Sequence, residues 1–208
     1  MSFYQLNKLK FGTHMLIIQW LGKNNLILDV GCNSGYLGSI SNENCFYGIE
    51  IDKNKAKEAK KVYKKVLIGN IEKLINLTLQ LPKFDIIVFA DILEHLIYPK
   101  KALIYFIQNF LKDNGKVVVS LPNIAHLSIR LNLLFGRFNY TNAGILDKTH
   151  LHFYNKRSAD KLVNEVGLKI IKIAYSSNRL GWLINKVTFL GTLFGFNLIF
   201  LCEKNKND

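Results

Sequence analysis

The sequence predicts an α/β fold: a doubly wound sheet, mostly parallel with an antiparallel C-terminal strand, and helices on both faces. Three observations carry this. Short apolar runs recur along the chain, a stretch of helical period follows most of them, and glycine, asparagine or proline punctuates the junctions. Strands that alternate with helices pair in parallel, because each crossover carries the chain back to start the next strand from the same end. With 208 residues, 49% of them hydrophobic, the chain can bury enough apolar surface to offset its conformational entropy. A single domain over residues 1–208 is the expectation.

The elements follow in order. Apolar residues Leu6, Leu9, Ile17, Trp20 and Leu21 mark an amphipathic helix over Phe3–Leu21, which forms an N-terminal helical flap over residues 1–24. Leu26–Val30 is a first strand, Gly31–Gly35 a tight turn and Tyr36–Ile40 a helix. A second strand, Cys45–Ile51, leads into a lysine-rich helix over Lys53–Lys65, and a third, Val66–Gly69, leads into Asn70-Ile71-Glu72. Phe84–Ala90 reads as a buried strand, Pro99–Leu111 as a helix with proline at its start, and Asp113-Asn114-Gly115 as a turn before the strand Lys116–Leu121. Residues 123–155 hold aromatics, three histidines, Arg130 and Arg137 without a strand period, and are expected to be a substrate-side insert. A helix over Ser158–Val166, stopped by Gly167, precedes a strand over Leu168–Tyr175. The hydrophobic segment 178–195 and the run after it leave Leu180–Cys202 almost continuously apolar, approaching the ~20 residues that a bilayer span requires, but Asn185, Lys186, Asn197 and its glycines interrupt it. A membrane-touching helix or loop over Leu180–Leu193, then a buried strand over Phe196–Cys202, is the expectation.

Cys32, Cys45 and Cys202 are too scattered for a disulfide framework or a metal motif, and Met1–Gln5 lacks the order of a signal peptide. A cytoplasmic location, with membrane association as an option, is therefore expected. The balance of 28 basic and 15 acidic residues gives +13, which favours polyanions or an anionic membrane face. Much of that charge lies in Lys53–Lys65 and reads as a solvated helix face rather than a nucleic-acid groove.

In a doubly wound sheet, ligands bind beyond the carboxyl ends of the strands, and the motifs gather there. Gly31 and Gly35 flank a turn that lets main chain approach a ligand, and Glu50 follows 19 residues after Gly31, where its carboxylate can accept from two ribose hydroxyls. A nicotinamide-dinucleotide fingerprint would need glycine at Asn33 and Tyr36, and a P-loop would need Gly-Lys-Ser/Thr; both are missing.

The runs Leu28-Asp29-Val30-Gly31-Cys32-Asn33-Ser34-Gly35, Gly48-Ile49-Glu50-Ile51-Asp52, Gly69-Asn70-Ile71-Glu72 and Phe84–Ile87 with Asp91-Ile92-Leu93-Glu94-His95 together resemble the ordered motifs of class I S-adenosylmethionine-dependent methyltransferases, across most of residues 26–121. The Leu-Glu-His element resembles the ubiquinone-biosynthesis O-methyltransferase branch, and Gly144–Tyr154 resembles a subgroup linked to cell-surface glycan synthesis. The resemblance implies a Rossmann-like fold that binds S-adenosylmethionine and releases S-adenosylhomocysteine. It implies that Asp29 and the Gly31–Asn33–Gly35 turn hold the methionine portion, Glu50 the ribose and Ile51 the adenine face. It further implies that Asn70 meets the adenine amino group, where the family usually has Asp, and that Ile71 and Ala90 complete the pocket.

Methyl transfer from a sulfonium needs in-line alignment and, for a hydroxyl acceptor, removal of a proton. His95, His126, His150 and His152 are candidates; the expected pairing is His150 as base with His95 beside the donor. No amino-methylating Asn/Asp-Pro-Pro-aromatic signature and no Pro-Cys pair is present, which points to oxygen as the acceptor atom. A small-molecule acceptor is the expected partner, a sugar of a surface glycan or its lipid-linked precursor. A second reading places a divalent metal on Asp91, Glu94 and His95, spaced i, i+3 and i+4, with His150 as fourth ligand. That pattern resembles metal-assisted 2′-O-methyltransferases of small RNAs and some quinone methyltransferases. A donor-binding scaffold without turnover is the third reading.

Overall fold

The computed structural model describes residues 9–178 and 181–205. Seven strands form one sheet in the order β3-β2-β1-β4-β5-β7-β6: β1 (Leu26–Val30), β2 (Cys45–Glu50), β3 (Lys65–Ile68), β4 (Phe84–Ala90), β5 (Leu111–Pro122), β6 (Leu168–Tyr175) and β7 (Asn197–Lys204). β1 to β5 pair in parallel, and β7 runs antiparallel to both of its neighbours, β5 and β6.

The side-chain alternation of the strands sends residues to two cores. Leu28, Val30, Val117, Val119 and Leu121 join a cluster with Phe106 and Leu162, whereas Ile27 and Val118 face the other cluster, with Leu16, Ile17 and Leu37. The first face is covered by α4 (Ile71–Leu74), α5 (Pro99–Phe110) and α7 (Lys156–Glu165), the second by α1 (Thr13–Leu21), α2 (Tyr36–Ile40) and α3 (Lys53–Ala59). Phe89, Phe106 and Phe200 are fully buried, and each such side chain contributes about 1.5–3 kcal/mol by leaving water.

Several sequence expectations need adjustment. The N-terminal helix begins at Thr13 within the described residues; Phe3 and Leu6, the start of the expected flap, lie outside them, as does Leu180. Leu16, Ile17 and Leu21 of α1 are buried in the second core. The lysine-rich helix stops at Ala59, six residues short of Lys65, and the turn that follows carries Tyr63 back beneath the first glycine turn. The Asp113-Asn114-Gly115 turn is an excursion within β5: Phe84 pairs with Leu111 and Ile86 with Lys116, so three extra residues loop out. In the insert, α6 (Leu127–Leu134) is the one helix. The C-terminal hydrophobic segment folds as two short helices, α8 (Gly181–Ile184) and α9 (Thr188–Phe194). Among the described residues no helix is long and apolar enough to cross a membrane.

Candidate active site

β1 lies between β2 and β4: the chain winds outward from it through β2 to β3, then crosses back past it to β4, and a crevice opens at its carboxyl end where the winding reverses. Gly31 there has φ +84°, and a Cβ would come within 2.7 Å of Ile92 Cγ1, so glycine is required by both backbone and neighbour. Asn33 takes the left-handed conformation at φ +50°, which asparagine tolerates, and its Oδ1 accepts from the Ser34 N–H at 2.8 Å.

Glu50 closes this turn. Its Oε2 accepts from the Asn33 N–H and its Oε1 from the Asp52 N–H, both at 2.9 Å, tying the first crossover to the second. A carboxylate has about four acceptor positions, so two remain for a ligand. Ile51 beside it is 62% exposed, an apolar side chain standing in solvent. The Gly69 N–H donates to the Glu50 carbonyl at 2.9 Å, which brings Asn70 to the same rim. Asn70 is the N-cap of α4, its Oδ1 accepting from the Glu72 N–H at 2.8 Å and keeping one lone pair. Ile71 is buried in the core and Ala90 is half-buried at the end of β4.

Asp29 is buried and accepts from the Tyr63 hydroxyl at 2.6 Å. Burial pushes its carboxyl up to about 7, the Glu50 charge adds to this, and the Tyr63 hydrogen bond opposes it. Sequence reasoning missed Tyr63. The signal was in Gly38 and Gly48, which need no positive φ: a Cβ at Gly38 would overlap the Tyr63 ring, and one at Gly48 would lie 2.9 Å from it. With the folded value near 7 and the unfolded one near 3.9, the native protein binds the extra proton between them. Stability from this group is therefore complete below about pH 4 and is lost as pH rises towards 7. A cationic donor placed against Asp29 would demand the carboxylate, so donor affinity should rise through pH 7 by roughly tenfold per unit below the midpoint. Tyr63→Phe removes the opposing hydrogen bond and should move that midpoint upward. Titration calorimetry between pH 6 and 8 on both proteins checks this; a pH-independent affinity would separate Asp29 from the donor.

The loop after β4 builds the other side. Asp91 has φ +50°; its N–H donates to the Ser120 carbonyl at 3.1 Å, and its Oδ1 accepts from the Ser120 hydroxyl and from Asn197 Nδ2, the latter at 2.8 Å. A single 3-10 turn, Leu93–His95, follows. The Glu94 carbonyl accepts the Leu151 N–H at 2.8 Å and so fixes the insert to this turn.

Here His95 and His150 come together, with ring centroids 4.8 Å apart. His150 is buried, and its Nδ1 donates to the Ile145 carbonyl at 3.1 Å. A carbonyl only accepts, so Nδ1 carries the proton and Nε2 keeps its lone pair. His95 is oriented alike, Nδ1 donating to the Thr149 carbonyl at 3.2 Å. Thr149 is itself held by Asp147, whose Oδ1 accepts from the Thr149 N–H at 2.8 Å and from its hydroxyl at 2.7 Å.

Glu94 is 1% exposed, neither carboxyl oxygen has a hydrogen-bond partner, and Oε1 lies 4.0 Å from His150 Nε2, which is also unpartnered. Burial holds the Glu94 carboxyl well above the ordinary range, with Asp91 and Asp147 adding to it, and burial together with His95 holds His150 low. Both shifts favour the neutral forms, an acid facing an imidazole across a gap too wide for a hydrogen bond.

Donor atoms of Glu94, His95 and His150 all lie within 4.8 Å of one another. Asp91 is no part of that cluster: the segment is not a continuous helix, the i, i+3, i+4 face never forms, and its carboxylate is engaged by Ser120 and Asn197. Of the other histidines, His126 caps α6, accepting from the Ser128 N–H at 3.2 Å, and stacks on Phe196. His152 lines a separate hollow between α5 and α7. A cavity of ≈ 490 Å³ opens between the Asp91–Glu94 loop and the insert, lined by Ser128, Asn132, Ile145 and Asn197 among others.

A crevice at the switch point, a glycine turn and a carboxylate ending the second strand define a nucleotide-type cofactor fold. The model of the methyltransferase domain family matches residues 5–173, and the chain belongs to that family, whose cofactor is S-adenosylmethionine. No curated protein matches the chain. Among solved structures, it is similar to an S-adenosylmethionine-dependent methyltransferase of Thermotoga maritima described as a possible histamine N-methyltransferase, at 15% identity and TM-score 0.65 over 93% of this chain and 88% of that one. It is similar too to magnesium protoporphyrin IX methyltransferase of Synechocystis PCC 6803 with bound S-adenosylhomocysteine, at 16% identity and TM-score 0.64 over 92% and 82%. A methyltransferase of Archaeoglobus fulgidus gives 18% identity and TM-score 0.61 over 94% and 96%.

Proposed function

We propose that this methyltransferase moves the methyl group of S-adenosylmethionine to a hydroxyl of a small polar acceptor, such as a sugar of a surface glycan or its precursor. The observation that carries the reading is the buried Nε2 of His150, whose tautomer is set by the Ile145 carbonyl and whose lone pair has no partner. In this reading Asp29 and the Gly31–Gly35 turn hold the methionine portion, Glu50 takes the ribose hydroxyls on its two remaining acceptor positions, and Ile51 covers the adenine. The acceptor occupies the cavity under the insert, which Glu94 lines, and its hydroxyl reaches past Glu94 to His150 Nε2, buried 4.0 Å behind that carboxyl. Its hydroxyl oxygen bonds to the methyl carbon as the carbon–sulfur bond breaks. The bonding pair returns to sulfur, giving neutral S-adenosylhomocysteine, and the hydroxyl proton passes to His150 Nε2.

A second reading adds a divalent metal on Glu94, His95 and His150, serving a quinone or RNA hydroxyl. Two unpartnered Glu94 oxygens and two histidines, each fixed through Nδ1 by a backbone carbonyl, match the orientation of metal-ligating side chains. Ligand distances of about 2.0–2.2 Å put tetrahedral ligand atoms about 3.4 Å apart, so this cluster, whose atoms lie within 4.8 Å of one another, would draw in around the ion. Such an ion would lower the acceptor hydroxyl's pKa and turn Glu94 into a carboxylate.

One experiment separates the readings. The protein is incubated with S-adenosylmethionine and sugars, nucleotide sugars or lipid-linked glycan precursors, with and without chelator. The expected product is a methyl ether plus S-adenosylhomocysteine, formed equally well with chelator. Loss of turnover restored by a divalent ion establishes the second reading. Methylation confined to nitrogen acceptors, or donor binding without turnover on any acceptor, overturns both.

A further inference from the structure

The insert and the α8–α9 segment expose large apolar side chains that the core does not use. Leu134, Phe135, Phe138 and Tyr140 stand in solvent at the end of α6 and beyond it, and Trp182 and Phe189 on α8 and α9; Phe135 is 71% exposed and Phe189 70%. The two segments meet. His126, the N-cap of α6, stacks on Phe196 at 4.5 Å between centroids, and Asn123 donates to the Thr192 and Gly195 carbonyls at 2.9 Å each, pinning α9 to the end of β5. Between them lies an apolar hollow of ≈ 460 Å³, lined by Leu183, Leu190 and Phe194.

Charge identifies what this face fits. From Asn123 to Leu146 the sequence has no Asp or Glu but carries Arg130 and Arg137, and from Gly181 to Cys202 it again has none but carries Lys186. Lys186 sits over the Trp182 ring at 5.6 Å, an ammonium held at the edge of an apolar surface. A second copy of this chain would bring like charge against like charge. An anionic amphiphile surface complements both the apolar side chains and the cations that flank them.

We propose that the insert and the α8–α9 segment form a docking face for an anionic lipid bilayer, on which the protein lies peripherally, with Phe135 and Phe189 entering the headgroup boundary and Arg130, Arg137 and Lys186 meeting lipid phosphates. The same insert roofs the cavity at Glu94, so docking sets that cavity against the membrane surface. The proposal is independent of which acceptor is methylated.

The test is flotation of the purified protein with vesicles of phosphatidylcholine alone or mixed with phosphatidylglycerol, at low and high salt, beside sedimentation velocity without lipid. Binding to the anionic vesicles roughly tenfold above neutral ones, weakened by salt, is expected. Phe135→Ser with Phe189→Ser should lower it by a further tenfold or more with melting temperature and S-adenosylmethionine affinity unchanged. Equal indifference to both vesicles, undiminished binding by the double variant, or a lipid-free dimer that the double variant dissolves would each overturn the proposal. Donor affinity, measured on the same preparations, reports on the methyltransferase site separately.

Discussion

Replacing His150 with Gln is expected to lower kcat by about 10²–10⁴-fold and leave S-adenosylmethionine affinity unchanged. Gln has a similar volume and its backbone N–H still donates to the Asp147 carbonyl, while its amide reaches the place of Nε2 and gives up the Nδ1 bond to the Ile145 carbonyl. It offers no basic lone pair for the acceptor proton. A melting curve close to that of the parent protein, with single-turnover rates and calorimetry alongside, distinguishes lost chemistry from lost fold. Glu94→Gln sharpens the result. If His150 acts alone as base, the neutral Glu94 side chain can be exchanged with little loss of turnover. If the pair holds a metal, the two substitutions are about equally damaging. Normal turnover by the His150 variant would pass the role to His95, whose replacement should disturb donor binding and turnover together.

Glu50→Ala should weaken the donor by about 100-fold or more and lower the melting temperature as well. The carboxylate does two jobs: it receives the Asn33 and Asp52 N–H groups, and on our reading it receives the ribose. Each hydrogen bond to a charged group contributes about 1.5–3 kcal/mol, so the loss of two ribose contacts alone reaches that factor. The orphaned backbone donors then loosen the glycine turn. Glu50→Gln, with one oxygen to accept, should fall between the two proteins. Calorimetry showing parental affinity in the Ala variant would remove Glu50 from the donor site.

The strands of the sheet were legible because buried strands read as unbroken apolar runs bounded by turn residues. Leu26–Val30, Phe84–Ala90 and Leu168–Tyr175 come out with the boundaries their residues suggest. The lysine-rich helix was overread, since Lys60 and Lys61 continue a helical composition while the packing of Tyr63 beneath Asp29 ends the helix at Ala59. His95 and His150 are 55 residues apart, and nothing in their spacing shows that their rings meet; that contact depends on the Glu94 carbonyl holding Leu151. Asp91 shows the opposite failure. Its spacing suggested a shared face with Glu94 and His95, but a left-handed backbone and bonds to Ser120 and Asn197 turn it aside. The insert hid its helix because α6 leaves its large apolar side chains outside, so no buried stripe forms.

The position of β7 has a consequence for biosynthesis. A ribosome makes this strand after its partners β5 and β6, yet it lies between them, so the sheet cannot close while the last of its seven strands is still in the exit tunnel. Until then β5 and β6 present unpaired edges rich in Val and Ile, the condition under which nascent chains associate wrongly, and the closing step joins residues far apart in sequence and is correspondingly slow. Asn197, the first residue of β7, also supplies the amide that fixes Asp91 ahead of Glu94 and His95. The Asp91–His95 loop therefore stays unset in the nascent chain, and its arrangement arrives together with completion of the fold.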